Sequence, residues 1–279
     1  MRFTKMHGAG NDYVYVNGFN QDLTGDLPEL ARRMSDRRFG VGSDGLILIL
    51  PSEVADARMR MFNADGSESA MCGNGLRCVA KYVYDHGIRR SEELRIQTDA
   101  GVLHAWPEAE RGEVERVRID VGEPIFHSMD IPTTLAQPRC IEEPIEVGPE
   151  VFSVTCVSMG NPHCVVFVEE PTDDLVSRVG PLIENHACFP ERTNVEFVQV
   201  LARDQAWQRT WERGSGETWA CGTGASAVCA AGVVTGRLDR RVSVRLLGGV
   251  LETEWCETDN HVYLTGPAVE VFHGEWPRR

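Results

Sequence analysis

Two cysteines stand in nearly identical settings in this chain. Cys72 ends the run Asp-Gly-Ser-Glu-Ser-Ala-Met-Cys and Cys221 ends the run Gly-Ser-Gly-Glu-Thr-Trp-Ala-Cys. Each cysteine is followed by Gly-x-Gly, and each has a glutamate four residues before it. Inversion at a carbon stereocentre needs an acid and a base on opposite faces of that carbon. Two matched thiols therefore suggest two halves that face one site and transfer protons there.

Other residues repeat at nearly the same spacing. Cys221 lies 149 residues after Cys72, and three further pairs fall at an offset of 149 or 150. Solenoid repeats recur every roughly 20–50 residues, so the larger offset indicates duplication of a whole domain. The further pairs are Asn11 with Asn161, Asp44 with Asn194, and Asn63 with Glu212.

A helix is predicted to begin directly after each cysteine. The first N–H groups of a helix lack partners within it, and the helix dipole is positive there, which lowers the pKa of a nearby thiol. Glycines in Gly73-Asn74-Gly75 and Gly222-Thr223-Gly224 allow the backbone to approach a carboxylate closely. Two such helix ends aimed at one carboxylate would stabilise the carbanion left when the α-proton leaves. Because one thiol must be charged and the other neutral, the pattern predicts a bell-shaped pH profile.

Several polar residues near the predicted turns are further candidates. Arg213 can hold a carboxylate and Glu212 can accept a hydrogen bond from an ammonium group, although such a pair is also typical of solvated surface. His163 follows a Gly-Asn-Pro turn, where it could order a thiol or cap the turn. A metal site at His163 and Cys164 is not expected, because adjacent residues are poorly placed to share one ion. The asparagines Asn11, Asn63, Asn161 and Asn194 all lie at strand–turn edges, where asparagine is also an ordinary turn former.

Composition narrows the class of protein. The 279 residues suffice for two domains, and a net charge of −14 argues against nucleic acid or an anionic membrane as the main partner. No apolar run approaches the roughly 20 residues of a membrane span, and no signal peptide is visible. The nine cysteines read as reduced thiols, so a cytoplasmic protein is expected. The chain has two lysines, Lys5 and Lys81, and neither lies in a context that suggests a pyridoxal-phosphate Schiff base.

Periodicity predicts an α+β protein in which the second half begins near Gly122. Leu27–Arg38 has helical spacing, and Ala225–Thr235 is a helix so apolar that strands must surround it. A hairpin at Gly248-Gly249 would join two of those strands. The stretch 122–149, rich in proline, is expected to be irregular.

These motifs resemble those of the diaminopimelate epimerase family. The resemblance implies an epimerase that needs no pyridoxal phosphate or other cofactor and interconverts L,L- and meso-diaminopimelate, a step toward lysine and peptidoglycan. It also implies two pseudo-symmetric domains, each a mixed sheet wrapped around a central helix, with the active site in the cleft between them, and a homodimer. The matching pieces are residues 6–12, 62–67, 72–78, 160–163, 194, 212–218 and 220–224.

The resemblance also assigns domains and roles. It implies that the C-terminal strand returns to the first domain, so that residues 1–121 and about 266–279 carry Cys72 and residues 122–265 carry Cys221. The two cysteines are the acid/base pair. The implied substrate contacts are Asn11, Asn63, Gly73, Asn74, Asn161, Asn194, Glu212, Arg213, Gly222 and Thr223. Gly45 departs from family members that carry a glutamine there, which makes Asp44 a supporting candidate only. His163, which could order a thiol or cap a turn, is a second supporting candidate.

Three alternatives remain open at this point. Proline and hydroxyproline racemases share the paired cysteines but usually carry a histidine where this chain has Asn74, and their substrates would leave Glu212 and Arg213 unexplained. Phenazine-type isomerases share the Gly-Asn-Pro turn but typically lack both thiols. A redox sensor that uses Cys72 and Cys221 would show reversible disulfide formation and no α-proton exchange.

Overall fold

The computed structural model describes residues 1–277, and the chain divides into two units. Unit 1 comprises Met1–Asp120 and the segment that begins at Thr265, and unit 2 comprises Val121–Leu264. No helix among residues 1–277 is long and apolar enough to cross a membrane.

Among residues 1–277, unit 1 contains two helices and nine strands. Its elements, in chain order, are β1 (Arg2–Gly8), β2 (Asn11–Asn17), α1 (Leu27–Ser35), β3 (Gly45–Leu50), β4 (Ala57–Asn63), β5 (Glu68–Ser69), α2 (Gly73–Asp85), β6 (Leu94–Thr98), β7 (Gly101–Glu110), β8 (Glu113–Gly122) and, from the C-terminal segment, β18 (Val269–Glu275).

Unit 2 contains two further helices and the remaining strands. Its elements are β9 (Glu143–Val147), β10 (Glu150–Ser158), β11 (Pro162–Phe167), α3 (Asp173–Glu184), β12 (Asn194–Ala202), β13 (Gln205–Glu212), β14 (Gly216–Thr218), α4 (Gly222–Val234), β15 (Arg241–Leu246), β16 (Gly249–Trp255) and β17 (Val262–Pro267), the last of which ends in unit 1.

The two units repeat one strand order. In unit 1 the order is β18, β1, β2, β3, β4, β6, β7 and β8, with parallel pairs only at β2–β3 and β4–β6. In unit 2 the order is β9, β10, β11, β12, β13, β15 and β16, with parallel pairs only at β11–β12 and β13–β15. Parallel neighbours need a crossover connection, and α1, α2, α3 and α4 occupy those four crossovers. The mixed fold from an internal duplication is confirmed.

Each unit buries its second helix. All residues from Asn74 to Val83 of α2 and from Gly224 to Gly232 of α4 are buried. Helix α4 packs on β10, β11, β12, β15 and β16, and α2 packs on β1, β4, β6 and β7, all strands of its own unit. A helix that is apolar on nearly every side must be enclosed by strands, which was expected for α4. Helix α2 is enclosed in the same way.

The glutamates that precede the two cysteines have a structural role in this fold. Glu68 pairs with Arg60 across β4 and β5, and Glu217 accepts a 2.7 Å hydrogen bond from Nε of Arg209 across β13 and β14. These two ion pairs are 149 residues apart at both members, so the duplication extends to side-chain contacts.

Three details differ from the sequence predictions. Helix α1 ends at Ser35 and not at Arg38, because the Asp36 carboxylate accepts hydrogen bonds from the N–H groups of Arg38 and Phe39 and so turns the chain. The stretch 122–149, expected to be irregular, contains β9 and a 3₁₀ turn at Ser128–Asp130. The hairpin between β15 and β16 turns at residues 247–248, one residue earlier than predicted.

Candidate active site

Both cysteines cap the helices that follow them. The Cys72 Sγ accepts a hydrogen bond from the Gly75 N–H at 3.5 Å, and the Cys221 Sγ accepts one from the Gly224 N–H at 3.3 Å. The backbone N–H groups and the positive helix end favour negative charge on either sulfur. The sequence prediction of a thiol at each helix N-terminus is confirmed.

Cys72 lies in a chain of amide hydrogen bonds. The Asn11 Oδ1 is 3.5 Å from the Cys72 Sγ and accepts a 3.2 Å hydrogen bond from Nδ2 of Asn74. On its other side, Asn11 donates from Nδ2 to Asp44 Oδ2 at 2.7 Å. Arg77 donates from Nη2 to Asn74 Oδ1 at 2.7 Å. A cation at one end and a carboxylate at the other therefore fix how both amides point toward the thiol.

Asp44 supports this chain rather than standing free. Besides Asn11, its carboxylate accepts hydrogen bonds from the Asp12 N–H at 3.0 Å and from Arg37 Nη2 at 2.9 Å. Burial raises the pKa of the neighbouring Asp12, but hydrogen bonds from Arg37 and Lys5 outweigh it and leave that pKa below its usual value. Asp44 thus belongs to a charged cluster that positions Asn11.

Gly45 has a packing reason to lack a side chain. A Cβ there would lie 2.1 Å from the Phe62 carbonyl oxygen and 2.8 Å from a ring carbon of Tyr13. No side chain fits between β2 and β4 on this backbone, so position 45 cannot contribute a side-chain contact.

Asn63, at the end of β4, takes part in a local turn. Its Nδ2 donates to Ser67 Oγ at 3.0 Å, and its N–H bonds the Ser67 carbonyl at 2.8 Å. These contacts with Ser67 agree with the ordinary turn role of asparagine.

Cys221 is more deeply buried than Cys72, with 6 % of its surface exposed. Burial raises its pKa, and the carboxylates of Glu212 and Glu196 raise it further, while hydrogen bonds from Thr223 and Gly224 act in the opposite direction. The Thr223 Oγ1 lies 3.6 Å from the sulfur. In this environment the neutral thiol is favoured over the thiolate.

A buried histidine and glutamate lie beside Cys221. His163 Nδ1 is 2.8 Å from Glu196 Oε1, and its Nε2 is 3.0 Å from Asn161 Oδ1. The ligand-type atoms of His163, Glu196 and Cys221 lie within 4.8 Å of one another, which makes them the group that could hold a metal ion among residues 1–277. Because both ring nitrogens already have oxygen partners, the histidine is fixed in orientation by contacts that an ion would have to replace.

The remaining candidates of unit 2 meet at the ends of β12 and β13. Asn194 uses its side chain fully: its Nδ2 donates to the Pro162 carbonyl at 2.9 Å, and its Oδ1 accepts from the Arg213 N–H at 2.9 Å. Glu212 Oε1 accepts a 2.5 Å hydrogen bond from Thr218 Oγ1, and Arg213 Nη1 donates to the Glu191 carbonyl at 3.2 Å. Asn194 thus positions Arg213.

The matched Gly-Asn turns have the same backbone conformation. Gly10 has φ of 86° and Gly160 has φ of 89°, the left-handed region in which glycine is favoured. These turns carry Asn11 beside Cys72 and Asn161 beside His163. The pairing of the two motifs in the sequence is therefore reproduced in the geometry.

Sequence reasoning missed two buried charged residues, Arg77 and Glu196. Both are 0 % exposed, and each leaves one polar atom, Nη1 and Oε2 respectively, without a hydrogen-bond partner. The sequence signal was present: Glu196 interrupts the apolar run of β12, and Arg77 interrupts the buried helix α2. A charge inside an apolar segment is expensive and so marks a special site.

The same fold occurs in a solved protein described as a probable proline racemase. A crystal structure of a probable proline racemase from Agrobacterium radiobacter K84 aligns with a TM-score of 0.71 and 18 % identity, over 99 % of this chain and 92 % of that chain. At this identity the likeness establishes the fold.

Sequence comparison gives the family. The profile of diaminopimelate epimerase matches residues 3–127 and 155–271. The diaminopimelate epimerase of Moorella thermoacetica is 56 % identical over 277 residues, which cover 99 % of both chains. That of Agathobacter rectalis is 52 % identical over 282 residues, again 99 % of each. The chain belongs to the diaminopimelate epimerase family.

Proposed function

We propose that this protein interconverts L,L- and meso-diaminopimelate by transferring protons at Cα between Cys72 and Cys221, without a cofactor. The observation that carries the proposal is that a chain of this family caps two topologically equivalent helices with thiols. The reaction serves lysine and peptidoglycan precursor synthesis.

The chemistry requires one thiolate and one thiol. The thiolate takes the α-proton, the electron pair of the broken C–H bond delocalises onto the carboxylate, and the thiol on the opposite face protonates the carbon. The cysteines thereby exchange protonation states, and exchange with solvent resets them. Helix N-termini suit this reaction because their N–H groups are already oriented toward the developing charge.

Substrate contacts are proposed on both units. Gly73, Asn74, Gly222 and Thr223 would hold the carboxylate at the reacting carbon. Arg213 and Glu212, with the four asparagines, would read the distal amino-acid end. The proposed domains are residues 1–121 with about 266–279, which carry Cys72, and residues 122–265, which carry Cys221. His163 and Asp44 would act through the groups they position.

Neither lysine is placed to form a Schiff base, which supports the absence of pyridoxal phosphate from the proposal. Lys81 donates to Asp85 Oδ2 and to the Val114 carbonyl, both at 2.6 Å, and Lys5 pairs with Asp12 and with the Gly42 carbonyl. An ammonium group held by a carboxylate stays protonated and is a poor nucleophile.

Assembly and location form part of the proposal. Strand β18 carries the exposed apolar side chains of Val269, Val271 and Phe272, which fit a homodimer contact. All nine cysteines are free thiols, as is typical of a reducing compartment, and this supports a cytoplasmic protein.

A substrate panel tests the proposed function. The purified, reduced protein is incubated separately with L,L-diaminopimelate, L-proline and trans-4-hydroxy-L-proline, and the stereoisomers are separated by chiral chromatography. We expect meso-diaminopimelate to appear and the two imino acids to remain unchanged. Turnover of an imino acid alone would place the activity with the racemases. Recovery of a disulfide with no turnover of any substrate would favour a redox role.

A further inference from the structure

The two thiol caps are alike in backbone but differ in the charge buried behind them. Arg77 lies five residues after Cys72 on α2, whereas the equivalent position after Cys221 is the neutral Ser226. Glu196 lies behind Cys221 on β12, whereas the equivalent residues of β3 are apolar. A buried cation thus lies behind Cys72, and a buried anion lies behind Cys221.

The Arg77 guanidinium has no carboxylate partner among residues 1–277. Its Nη2 donates to Asn74 Oδ1 at 2.7 Å, its Nε donates to the Pro267 carbonyl at 3.3 Å, and its Nη1 has no hydrogen-bond partner. An arginine stays charged at any ordinary pH. A fully buried and unpaired cation is costly, which suggests that it compensates a negative charge present during function.

Cys72 is the group that this charge can act on. The other titratable groups near Arg77 are Tyr15 and Cys78, and Tyr13 faces Cys72. Burial raises the pKa of all three, that of Cys78 to about 11, so they are neutral near pH 7. Asp44 is linked to the sulfur through the hydrogen bonds of Asn11.

The Cys72 site has two further influences. The charge of Asp44 is opposed by Arg37 at 2.9 Å. The Asn11 Oδ1, 3.5 Å from the Cys72 sulfur, is the neutral contact that favours the thiol form. The buried charge of Arg77 favours the thiolate of Cys72, and so does the Gly75 N–H that donates to the sulfur.

Cys221 faces the opposite situation. Two carboxylates act on it, Glu212 from β13 and Glu196 from β12, and a carboxylate oxygen of Glu196 lies within 4.8 Å of its sulfur. His163 from β11 faces the same group and pairs with Glu196 at 2.8 Å. The second oxygen of Glu196 has no hydrogen-bond partner, so its charge is only partly compensated.

We propose that Arg77 and Glu196 are positioning residues that make the two thiols unequal, so that the free enzyme keeps a thiolate at Cys72 and its proton at Cys221. This inference rests on the proposed two-thiol function. The enzyme would then be ready to remove a proton with Cys72 and deliver one from Cys221. A substrate whose α-proton faces Cys221 would react only when Cys221 is the thiolate and Cys72 holds the proton.

Site-resolved thiol titration tests the inference without any substrate. The intact protein is treated with iodoacetamide across a pH series, and the alkylation rates of Cys72 and Cys221 are read separately by peptide mass spectrometry. In the wild type we expect Cys72 to reach half-maximal reactivity at a lower pH than Cys221. Arg77→Met should raise the midpoint of Cys72 by about one unit, a roughly tenfold slower reaction at pH 7. Glu196→Gln should lower the midpoint of Cys221.

Three controls separate electrostatics from structure. Arg77→Lys keeps the charge and should leave the Cys72 midpoint near that of the wild type. Arg116→Met removes an equal charge from an exposed position of β8 and should move neither midpoint. If Arg77→Met does not fold, Arg77→Gln replaces it. The titration of Glu196→Gln tests the inference independently of the Arg77 variants.

The inference is overturned if the midpoints of the wild type coincide or are reversed, if Arg77→Lys and Arg77→Met shift Cys72 equally, or if Glu196→Gln leaves Cys221 unchanged. Because no substrate is present, a protein that titrates as expected but does not epimerise diaminopimelate would refute only the proposed function.

Discussion

At the residue scale, two cysteines in equivalent backbone positions have different surroundings. Cys221 is nearly inaccessible and has Glu196 and Glu212 near it, whereas Cys72 is half-buried among amides whose orientation is set by Arg77 and Asp44. Equivalent backbone geometry with unequal electrostatics is what the proposed acid/base pair requires of two like residues. Two thiols in identical surroundings would have equal pKa values, so neither would be favoured as the acid or as the base.

The pH dependence of kcat/KM should report this difference. When Cys221 is the acid, activity is lost as pH rises through its pKa, because the thiol must still hold its proton. Burial, Glu212 and Glu196 raise that pKa above the ordinary value of 9.0, so the alkaline limb should lie above pH 9. Glu212→Gln should move the limb to lower pH. Steady-state rates across pH 5–10.5 check both points, and a limb below pH 9 in the wild type would contradict them.

Asp44 should matter through Asn11. Asp44→Asn replaces a charged acceptor by an amide and frees Asn11 to turn its oxygen away from Cys72. The loss of a charge-assisted hydrogen bond costs about 1.5–3 kcal/mol, so kcat/KM should fall at least about tenfold with the fold retained. Asp22→Asn makes the same charge change at an exposed site and serves as the control. Equal activity in both variants would show that Asp44 is not part of the site.

At the element scale, the sequence could predict much of what positions the site. Both thiol caps, both buried helices and the duplicated strand pattern follow from glycines, apolar periodicity and repeated motifs. Strand β9 lies in a proline-rich stretch where local preferences disfavour a strand, and its pairing with β10 overrides them. Strand β18 has several exposed apolar residues and no clean alternation, and its pairing with β1 forms across the full length of the chain.

Arg77 and Glu196 could not be assigned from the pattern for a related reason. Each charge interrupts an apolar segment and so marks a special site, but the pattern does not tell which group the charge faces until the packing is known. Asn194 is a different case, because the sequence predicts it as a substrate contact. In the structure its side chain bonds the Pro162 carbonyl and the Arg213 N–H, which is a positioning arrangement.

The start of α4 should be sensitive to one methyl group. In Gly224→Ala the new Cβ would lie 2.7 Å from Glu196 Oε1 and 3.1 Å from the Cys221 sulfur, so the helix end must shift. Overpacking of this kind costs about 1–3 kcal/mol, and we expect a lower melting temperature. Gly73→Ala is the matched control, since its Cβ would meet only Ile119 Cδ1 at 3.4 Å. Thermal unfolding that ranks the two variants the other way round would contradict the geometry.

At the scale of the whole molecule, duplication accounts for two cysteines in the same structural setting, which the proposed reaction would use as acid and base. Each unit is complete in its sheet and central helix, and each carries one cysteine at the same topological point. Divergence then needed only a few buried residues to distinguish the halves.

Assembly should depend on β18. Phe272→Asp places a charge on β18 close to the exposed side chains of Val269 and Val271, which should weaken the proposed homodimer. Phe39 is more exposed than Phe272 and lies in the turn after α1, so Phe39→Asp introduces the same charge and should leave assembly unchanged. Sedimentation velocity distinguishes the species. A wild-type protein that is monomeric at micromolar concentration would refute this part of the proposal.

The central claim is that two thiols transfer protons on opposite faces of one carbon. The most direct measurement follows L,L-diaminopimelate in D₂O at low conversion, for the wild type and for Cys72→Ala and Cys221→Ala. The account predicts meso product that carries one deuterium at Cα, with little deuterium in the recovered substrate. Each alanine variant should lose at least about 100-fold in rate of epimerisation. Meso product without deuterium, or near-normal epimerisation in either variant, would contradict the two-thiol account.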